Sequence, residues 1–329
     1  MSIIYTFDNK VLKNSANDKW FKKATDPCNP LGLPANTIRV KFASGYTPTM
    51  GDTQTLVDAN NNVWDIYKQS NNWSHLFNEE EEKEHVLLKV LGANTSNVTQ
   101  MTGLFRFCKL LTTVPLFDTS NVRYMPSMFR ECSSLISVPL FNTSKVRATD
   151  GMFRYCTSLT SVPLFDTSNV TAMNHMFYGC TSLTSVPLFD TSNISNMKNF
   201  FTGCTSLTTV PLFDTSNVTN MEALFSECSA LTSVPLFDTS NVTNMKTMFN
   251  QCSALTTVPL FNTSKVTNMD YTFNGCSHVD SGALALYQQA SSQTTPPTNH
   301  DSTFNDCGNN SDTGRVELAQ IPSSWGGLA

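Results

Sequence analysis

The sequence is poor in charge and has no long apolar run. Asp, Glu, Lys and Arg make up 14% of the 329 residues and the net charge is −5. The chain therefore lacks the basic footprint of a nucleic-acid-binding protein. No apolar run approaches the roughly 20 residues that span a bilayer. Met1–Lys10 has no basic segment followed by an apolar one, so we expect no secretory signal and no membrane insertion.

Motifs for catalysis and metal binding are also missing. The sequence contains no Gly-rich phosphate loop, no His-Glu-x-x-His box and no nucleophile elbow. Its histidines follow no ligand spacing relative to the cysteines. They are His75, His85, His175, His278 and His300. We therefore predict a protein that is not an enzyme and that uses no cofactor.

What the sequence does contain is one stretch that recurs every 24 residues without a slip in register. Its clearest copy runs from Cys228 to Phe249 and reads Cys-x-x-Leu-Thr-Ser-Val-Pro-Leu-Phe-Asp-Thr-Ser-Asn-Val-Thr-Asn-Met-x-x-Met-Phe. A fixed period of this size is typical of a solenoid, which grows by stacking. The repeat cysteines are Cys108, Cys132, Cys156, Cys180, Cys204, Cys228, Cys252 and Cys276.

These eight cysteines are predicted to form a buried column of thiols in the structural core. Each would have two equivalent neighbours and therefore no defined disulfide partner. Cysteine is also among the most buried residue types. A disulfide or a metal site is the alternative interpretation.

Within each copy the pattern predicts a strand, a turn and a short helix. Leu-x-x-Val-x-Leu, as at Leu135, Val138 and Leu140, is interpreted as a strand with these side chains inward, ending near a proline that donates no ladder hydrogen bond. Phe-Asp-Thr-Ser-Asn favours a turn. Met-x-x-Met-Phe-x-x-Cys has apolar residues at i, i+3, i+4 and i+7, which is one face of a helix. The expected fold is α/β, a solenoid of stacked strand–turn–short-helix coils with degenerate capping repeats.

The chain divides into four segments. Residues 1–35 are polar and proline-rich and form either a mobile tail or an anchor or linker segment that docks on a larger assembly. Residues 36–92 form an N-terminal cap with a degenerate repeat, and residues 93–276 form the regular solenoid. Residues 277–329 form a C-terminal cap with a helix and a final degenerate repeat.

The N-terminal cap contains an imperfect copy of the repeat. Thr37–Phe42 alternates like a half-buried strand. Trp73–Phe77 matches the Met-x-x-Met-Phe box, and Leu87–Val90 matches the strand of the repeat. The acidic run Glu79–Glu84 between them is either a solvated insertion or a contact for a basic partner.

The C-terminal cap repeats the same elements. Gly282–Ala290 is expected to be a helix, Phe304–Cys307 matches the Phe-x-x-Cys box, and Leu318–Pro322 matches the strand and its proline. Trp325 is expected to cover the last coil.

The 24-residue motif resembles the repeat of the BspA-like leucine-rich-repeat surface proteins, in the variant that carries Phe-Asp-Thr-Ser-Asn-Val-Thr-Asn-Met-x-x-Met-Phe-x-x-Cys. The match covers residues 93–276 closely and both caps loosely. The resemblance implies a leucine-rich-repeat-type solenoid without enzymatic activity. It also implies surface adhesion or recognition, as in bacteria, mycoplasmas and some protists, and the family is similar to proteins encoded by gut bacteriophages.

Positions that change between copies are the first candidates for binding. The x positions near Met-x-x-Met-Phe-x-x-Cys give the first copies basic and aromatic side chains on a predicted convex face. Drift on an exposed face is one explanation, and a patch for an acidic glycan or a protein neighbour is the other. The candidates are Arg106, Phe107, Arg123, Tyr124, Arg130, Arg147, Arg154 and Tyr155.

Hydroxyl side chains on the predicted strand face are the second candidates. Such residues suit an exposed sheet for packing reasons alone. Alternatively, they form a flat hydroxyl surface that hydrogen-bonds a glycan. The candidates are Thr113, Ser161, Ser185, Thr209, Ser233 and Thr257.

A column of aspartates follows the strand. Turn chemistry explains it, with calcium bridging as the alternative. Where Asn142 and Asn262 replace the aspartate, the residue three positions later becomes Lys145 or Lys265. We therefore expect the side chains at these two positions to interact. The column consists of Asp118, Asp166, Asp190, Asp214 and Asp238.

Together these observations lead to the hypothesis of a non-enzymatic component of a bacteriophage virion, such as a tail or head fibre or a receptor-binding or decoration protein. The N-terminal region would contact other virion proteins, and the solenoid would recognise a host-surface glycan or protein. A bacterial cell-surface adhesin and an intracellular interaction scaffold are the alternatives. A homo-oligomer is compatible with the sequence, although no coiled-coil heptads enforce one.

Overall fold

The computed structural model describes residues 28–44, 46–48, 53–77 and 87–329, and the backbone of two short strands. These strands, β1 (Thr6–Phe7) and β2 (Lys10–Val11), pair antiparallel. Most of the predicted anchor over residues 1–35 and all of the acidic run Glu79–Glu84 lie outside the described residues.

The N-terminal cap is a four-stranded antiparallel sheet. Strand β3 (Thr37–Phe42) lies between β5 (Val63–Tyr67) and β6 (Leu87–Asn94), and β4 (Thr53–Asp58) pairs with the far side of β5. The strand predicted at Thr37–Phe42 is thus present.

The prediction that Leu87–Val90 belongs to the coil strands is wrong. This segment is part of β6 and pairs antiparallel with β3. All six residues of strand β3 have a partner in β6, although the register shifts between Arg39 and Val40 and between Lys41 and Phe42, whereas neighbouring coils offer few partners. The sequence match to the repeat therefore reflects shared buried positions, such as Leu87 and Val90, and not a shared backbone.

The first coil begins at Trp73. The backbone N–H groups of Trp73, His75 and Phe77 donate to carbonyl groups of the following coil at 2.8–2.9 Å. The Trp73 side chain is fully buried where later copies have methionine. The Trp73–Phe77 box therefore stacks as a copy of the repeat.

The regular part of the chain is a leucine-rich-repeat-type solenoid, as predicted, but its coils differ from the predicted ones. Residues 95–282 contain no helix and no strand, only isolated parallel bridges such as Asn220 to Asn244. In the segment predicted as a strand, neighbouring coils of the array share one backbone hydrogen bond of 3.0–3.5 Å, such as Thr232 N–H to Thr208 O at 3.4 Å. The proline three residues later has no N–H with which to extend the pairing.

The predicted short helix is also absent, because each copy contains two residues with positive φ. In one copy these are Ala223, with φ 54°, and Glu227, with φ 63°, and all eight copies have both positions in this conformation. A left-handed residue interrupts a right-handed helix. The N–H groups of Ala223 and Glu227 donate instead to the next coil at 2.9 and 2.7 Å. The segment is therefore a series of turns whose donors link coils.

A stack of phenylalanine rings runs through the core. Adjacent rings of the regular copies lie 5.1–5.8 Å apart between centroids. The stack ends on Phe77 at one side and on Phe304 at the other, at 5.7 and 5.9 Å. Each such contact is worth about 0.5–1.5 kcal/mol beyond the area that it buries. Stacking therefore holds each coil to its neighbours.

The repeat cysteines form a second column beside the rings. Cys204 Sγ lies 3.1 Å from the carbonyl oxygen of Phe177 in the preceding coil. All eight cysteines make this contact at 3.0–3.2 Å, and no cysteine forms a disulfide. Burial is the main cause that raises the pKa well above its usual value for these thiols: Cys156, Cys180, Cys204, Cys228, Cys252 and Cys276.

We expect the repeat thiols to resist alkylation in the folded protein and to react fully in guanidinium. The thiolate is the nucleophile, and burial both excludes the reagent and keeps the proton on sulfur. Mass spectrometry after iodoacetamide treatment at mildly alkaline pH counts the labelled sites, with the partly exposed Cys28 as the internal reference. Rapid native labelling of most repeat cysteines would contradict the buried column.

The raised thiol pKa values also predict that the folded protein loses stability in alkaline solution. Because the folded-state pKa values are raised, their contribution to stability is complete below the unfolded-state pKa of about 8.5 and is lost as the pH rises above it.

The C-terminal cap contains helices α1 (Ala283–Ser291) and α2 (Asp312–Leu318) and a 3-10 helix at Ser323–Trp325. Helix α1 lies where a helix was predicted. The strand predicted at Leu318–Pro322 is wrong, because Leu318 ends α2 and the chain then turns. Glu317 in α2 accepts a hydrogen bond from Leu284 N–H at 3.0 Å, which ties the two helices together.

Trp325 closes this end of the core, as predicted. Its ring stacks on His300 with centroids 4.2 Å apart and lies 6.5 Å from Phe304. The backbone N–H of Phe304 donates to the Trp325 carbonyl at 2.8 Å.

Candidate functional site

The variable residues of the first copies form two separate cationic surfaces. The first, the cation–tyrosine cluster, consists of Arg154, Tyr155, His175 and Tyr178. The second, the arginine–lysine pocket, consists of Arg123, Ser144, Lys145, Arg147 and Asn169. The sequence placed Arg154, Tyr155, Arg123 and Arg147 on one face, and the structure divides them between two.

In the cation–tyrosine cluster, one guanidinium group lies against two tyrosine rings. Arg154 Cζ is 5.2 Å from the ring centroid of Tyr155 and 4.8 Å from that of Tyr178. The two rings meet edge to face at 5.1 Å. Arg154 Nε is buried and makes no hydrogen bond to any residue that the structure describes. The cluster therefore combines a fixed cation with aromatic surface.

Gly179 makes this arrangement sterically feasible. The residue before each repeat cysteine has positive φ, and Gly179 has φ 72°. Tyr155 holds the same position one coil earlier, and a Cβ atom on Gly179 would lie 2.4 Å from Tyr155 Cδ1. At the equivalent Gly203, with φ 73°, the nearest atom to such a Cβ is 3.6 Å away. Gly179 thus leaves room for the Tyr155 ring.

His175 and Tyr178 of the cluster are neutral near pH 7. Burial, followed by the charges of Arg154 and Lys198, lowers the pKa of His175. The hydrogen bond with Tyr155, followed by burial, raises the pKa of Tyr178. The cluster charge therefore comes from Arg154, since the neighbouring Lys198 forms an ion pair with Glu222 at 2.9 Å.

Other predicted convex-face residues are less available to a ligand. Phe107 is only 5% exposed and lies under the Arg106 guanidinium, 4.5 Å from the ring centroid. The prediction that Phe107 is a surface residue is wrong, because its ring lies beneath the Arg106 guanidinium and is almost fully buried. Arg130 pairs with Glu131 at 3.2 Å. Tyr124 is 40% exposed and belongs to neither surface.

The hydroxyl candidates Thr113, Ser161, Ser185, Thr209, Ser233 and Thr257 are all exposed. A column of leucines lies near them, with 53–64% exposure. The prediction that Leu140 points inward is wrong, because the intervening proline breaks the alternation and the following phenylalanine takes the inward position. The column consists of Leu140, Leu164, Leu188, Leu212, Leu236 and Leu260.

The aspartate column forms turns. Asp166 Oδ1 accepts hydrogen bonds from Ser168 N–H at 3.1 Å and from the Ser168 hydroxyl at 2.6 Å. The hydroxyl bond, followed by the backbone bond, lowers the pKa of Asp166. Among the described residues, no three His, Cys, Asp or Glu side chains lie close enough to hold a metal ion.

Lys145 makes no hydrogen bond to Asn142 of its own coil. Its Nζ donates to Asn121 Oδ1 of the preceding coil at 2.9 Å. Asn142 Oδ1 accepts from the Ser144 hydroxyl at 2.7 Å, as the aspartates do in other copies.

In the part of the chain that the structure describes, no helix is long and apolar enough to cross a bilayer.

Solved structures of leucine-rich-repeat proteins are similar to this chain. A Treponema pallidum leucine-rich-repeat protein is 18% identical with a TM-score of 0.38, over 64% of this chain and 84% of that one. One from Eubacterium ventriosum is 18% identical with a TM-score of 0.38, over 53% of this chain and 55% of that one. A leucine-rich cell surface protein from Faecalibacterium prausnitzii is 16% identical with a TM-score of 0.30, over 65% of this chain and 75% of that one.

Curated protein sequences give no significant match. One family profile, described as "Mycoplasma protein of unknown function, DUF285", matches residues 71–186 and 184–287. These matches cover more than half of the 329 residues. The chain therefore belongs to the DUF285 family.

Proposed function

We propose that this chain is a non-enzymatic recognition protein whose solenoid presents the cation–tyrosine cluster to a surface glycan or protein. The observation that carries this proposal is the fixed position of Arg154 between two tyrosine rings, with Nε lacking a partner among the described residues. Aromatic rings stack on sugars and apolar groups, and the guanidinium binds acidic groups.

The setting that we propose is a bacteriophage virion, in which the N-terminal region contacts other virion proteins. This rests on the resemblance of the repeat to a family with phage-encoded relatives. A bacterial cell surface is the second setting, and the family description, which names Mycoplasma, is consistent with a bacterial source. Peptide mapping of purified particles and surface proteolysis of intact bacteria distinguish the two. Recovery of the chain from the cytoplasm alone would exclude both.

Gly179→Ala is expected to weaken binding of the purified chain to intact bacterial cells by about tenfold or more. The new Cβ would displace the Tyr155 ring, which supports the Arg154 guanidinium. Labelled protein titrated onto a panel of bacterial species, with flow cytometry as the readout, measures the change on the species that bind.

Gly203→Ala is the matched control. It introduces the same residue at nearly the same φ but meets no atom closer than 3.6 Å. The two variants therefore share the backbone strain, and only Gly179→Ala moves the cluster. Equal binding by both variants on a species that binds the native chain, or binding to no species, would refute the proposed role of the cluster.

A further inference from the structure

We propose that the arginine–lysine pocket binds the sulfate or carboxylate group of an acidic polysaccharide. This inference rests on the proposed recognition function and assigns it a second site with its own ligand chemistry. The pocket is a shallow depression of about 220 Å³ between adjacent coils, lined by Arg123, Ser144, Lys145, Arg147 and Asn169.

The two arginines interrupt an otherwise uncharged column. The equivalent position in the other six copies is threonine or serine: Thr99, Thr171, Ser195, Thr219, Thr243 and Thr267. Arg123 and Arg147 occupy consecutive copies, and the Arg147 N–H donates to the Arg123 carbonyl at 2.9 Å. Their side chains therefore start from neighbouring rungs of the stack, about 4.8 Å apart.

Lys145 adds a third cation from the same coil as Arg147. Six of the other seven copies have asparagine here, and Asn169 shows its usual role by donating to the Ser144 carbonyl at 2.9 Å. The longer Lys145 side chain reaches Asn121 Oδ1 in the coil of Arg123. Positive charge from two coils therefore converges on one depression.

No carboxylate compensates this charge within the pocket. None of the five lining residues is acidic, and Asn142 replaces the aspartate of this copy. Arg123, Lys145 and Arg147 form no ion pair with any residue of the described ranges. Like charges held this close repel one another, and an oxyanion placed between them removes that repulsion.

The donor set fits a single oxyanion carried on a neutral chain. Each guanidinium offers a planar fork that matches two oxygens of a sulfate or carboxylate. On both sides of the pocket the column continues as uncharged hydroxyl residues, Thr99 and Thr171. Sugar rings between acidic groups can lie along such a surface, whereas a run of acidic amino acids would find no further cation there.

The array supplies a matched control for the pocket. Lys265 Nζ makes the same contact, to Asn241 Oδ1 at 2.6 Å. The flanking positions there are Thr243 and Thr267 instead of arginines. Lys145→Asn and Lys265→Asn therefore remove equivalent lysines, and Arg123→Thr and Arg147→Thr install the residue that most other copies carry.

Binding of the full chain to heparin, polygalacturonate and dextran tests the proposal by isothermal titration. We expect heparin, polygalacturonate or both to bind with an affinity that falls with salt, and dextran not to bind. The triple variant Arg123→Thr, Arg147→Thr, Lys145→Asn should bind about tenfold more weakly or worse. Lys265→Asn should stay within about twofold of the unmodified chain. Thermal melting checks that each variant folds.

Polygalacturonate carries carboxylate alone, whereas heparin carries sulfate as well as carboxylate. Binding of polygalacturonate therefore indicates that carboxylate suffices, and binding of heparin alone indicates sulfate. Binding of neither, binding of a polyglutamate peptide alone, or equal losses from Lys145→Asn and Lys265→Asn would overturn the pocket assignment. The proposed function fails separately, if the chain binds no cells or if Gly179→Ala and Gly203→Ala bind cells equally.

Discussion

Replacing Phe177 with alanine is expected to lower the free energy of unfolding by about 3–5 kcal/mol. The side chain is fully buried, and its ring stacks on Phe153 and Phe201 at 5.8 and 5.7 Å. The change removes both contacts and leaves a cavity in the middle of the stack. A well-packed solenoid cannot close such a gap without shifting whole coils.

The same variant is expected to split the unfolding transition. Each coil contacts only its neighbours, so stability is a sum of coil and interface contributions, and a weakened interface uncouples the two ends. Trp73 and Trp325 lie at opposite ends of the array, and the fluorescence of each can be followed in a variant in which the other three of the four tryptophans are replaced. Guanidinium titration followed at each tryptophan measures the two midpoints.

Leu188→Ala is the control for this experiment. Leu188 is 57% exposed on the leucine column, so its truncation should change the free energy of unfolding by less than about 0.5 kcal/mol. A similar loss for both variants would show that the ring stack is not the main link between coils.

Deletion of one full repeat, residues 205–228, is expected to leave a folded protein, whereas deletion of residues 205–216 should abolish cooperative unfolding. Contacts between coils recur with the period of the repeat: Cys204 reaches Phe177 and Cys228 reaches Phe201. Removing a whole period joins Cys204 to Ser229 and gives every remaining group an equivalent partner. Removing half a period places polar turn residues where the core needs phenylalanine and cysteine.

Circular dichroism melts and small-angle X-ray scattering distinguish these outcomes. The full-repeat deletion should melt cooperatively and be shorter by about 4.8 Å along the stack. An unfolded full-repeat deletion, or a half-repeat deletion that melts like the native chain, would contradict the interchangeable coils inferred from the hydrogen bonds.

The sequence predicted which side chains are buried better than it predicted the backbone. Met221, Leu224, Phe225 and Cys228 are all buried, as their spacing indicated. The same spacing wrongly predicted a helix, because an amphipathic pattern reports only which side faces the core. Glu227 gives no indication that its φ is positive. The glycines at the same position in other copies, such as Gly179, do indicate a positive φ there.

The candidate site was predicted in composition but not in arrangement. Aligning the copies places Arg130, Arg154 and Tyr178 in one column and Tyr155 above Gly179, so Tyr178 could have been included from the period alone. The burial of Phe107 and the contact of Lys145 with the preceding coil could not be predicted from the sequence, because both depend on how neighbouring coils pack.

Because the coils are interchangeable, the length of the solenoid can change in steps of one repeat. Both cationic surfaces lie in the early copies, between Arg123 and Tyr178, and the copies after them carry the same core residues. A gene with more or fewer of these later copies would move the C-terminal cap in steps of about 4.8 Å. Neither cationic surface would lose a residue, so length can evolve separately from recognition.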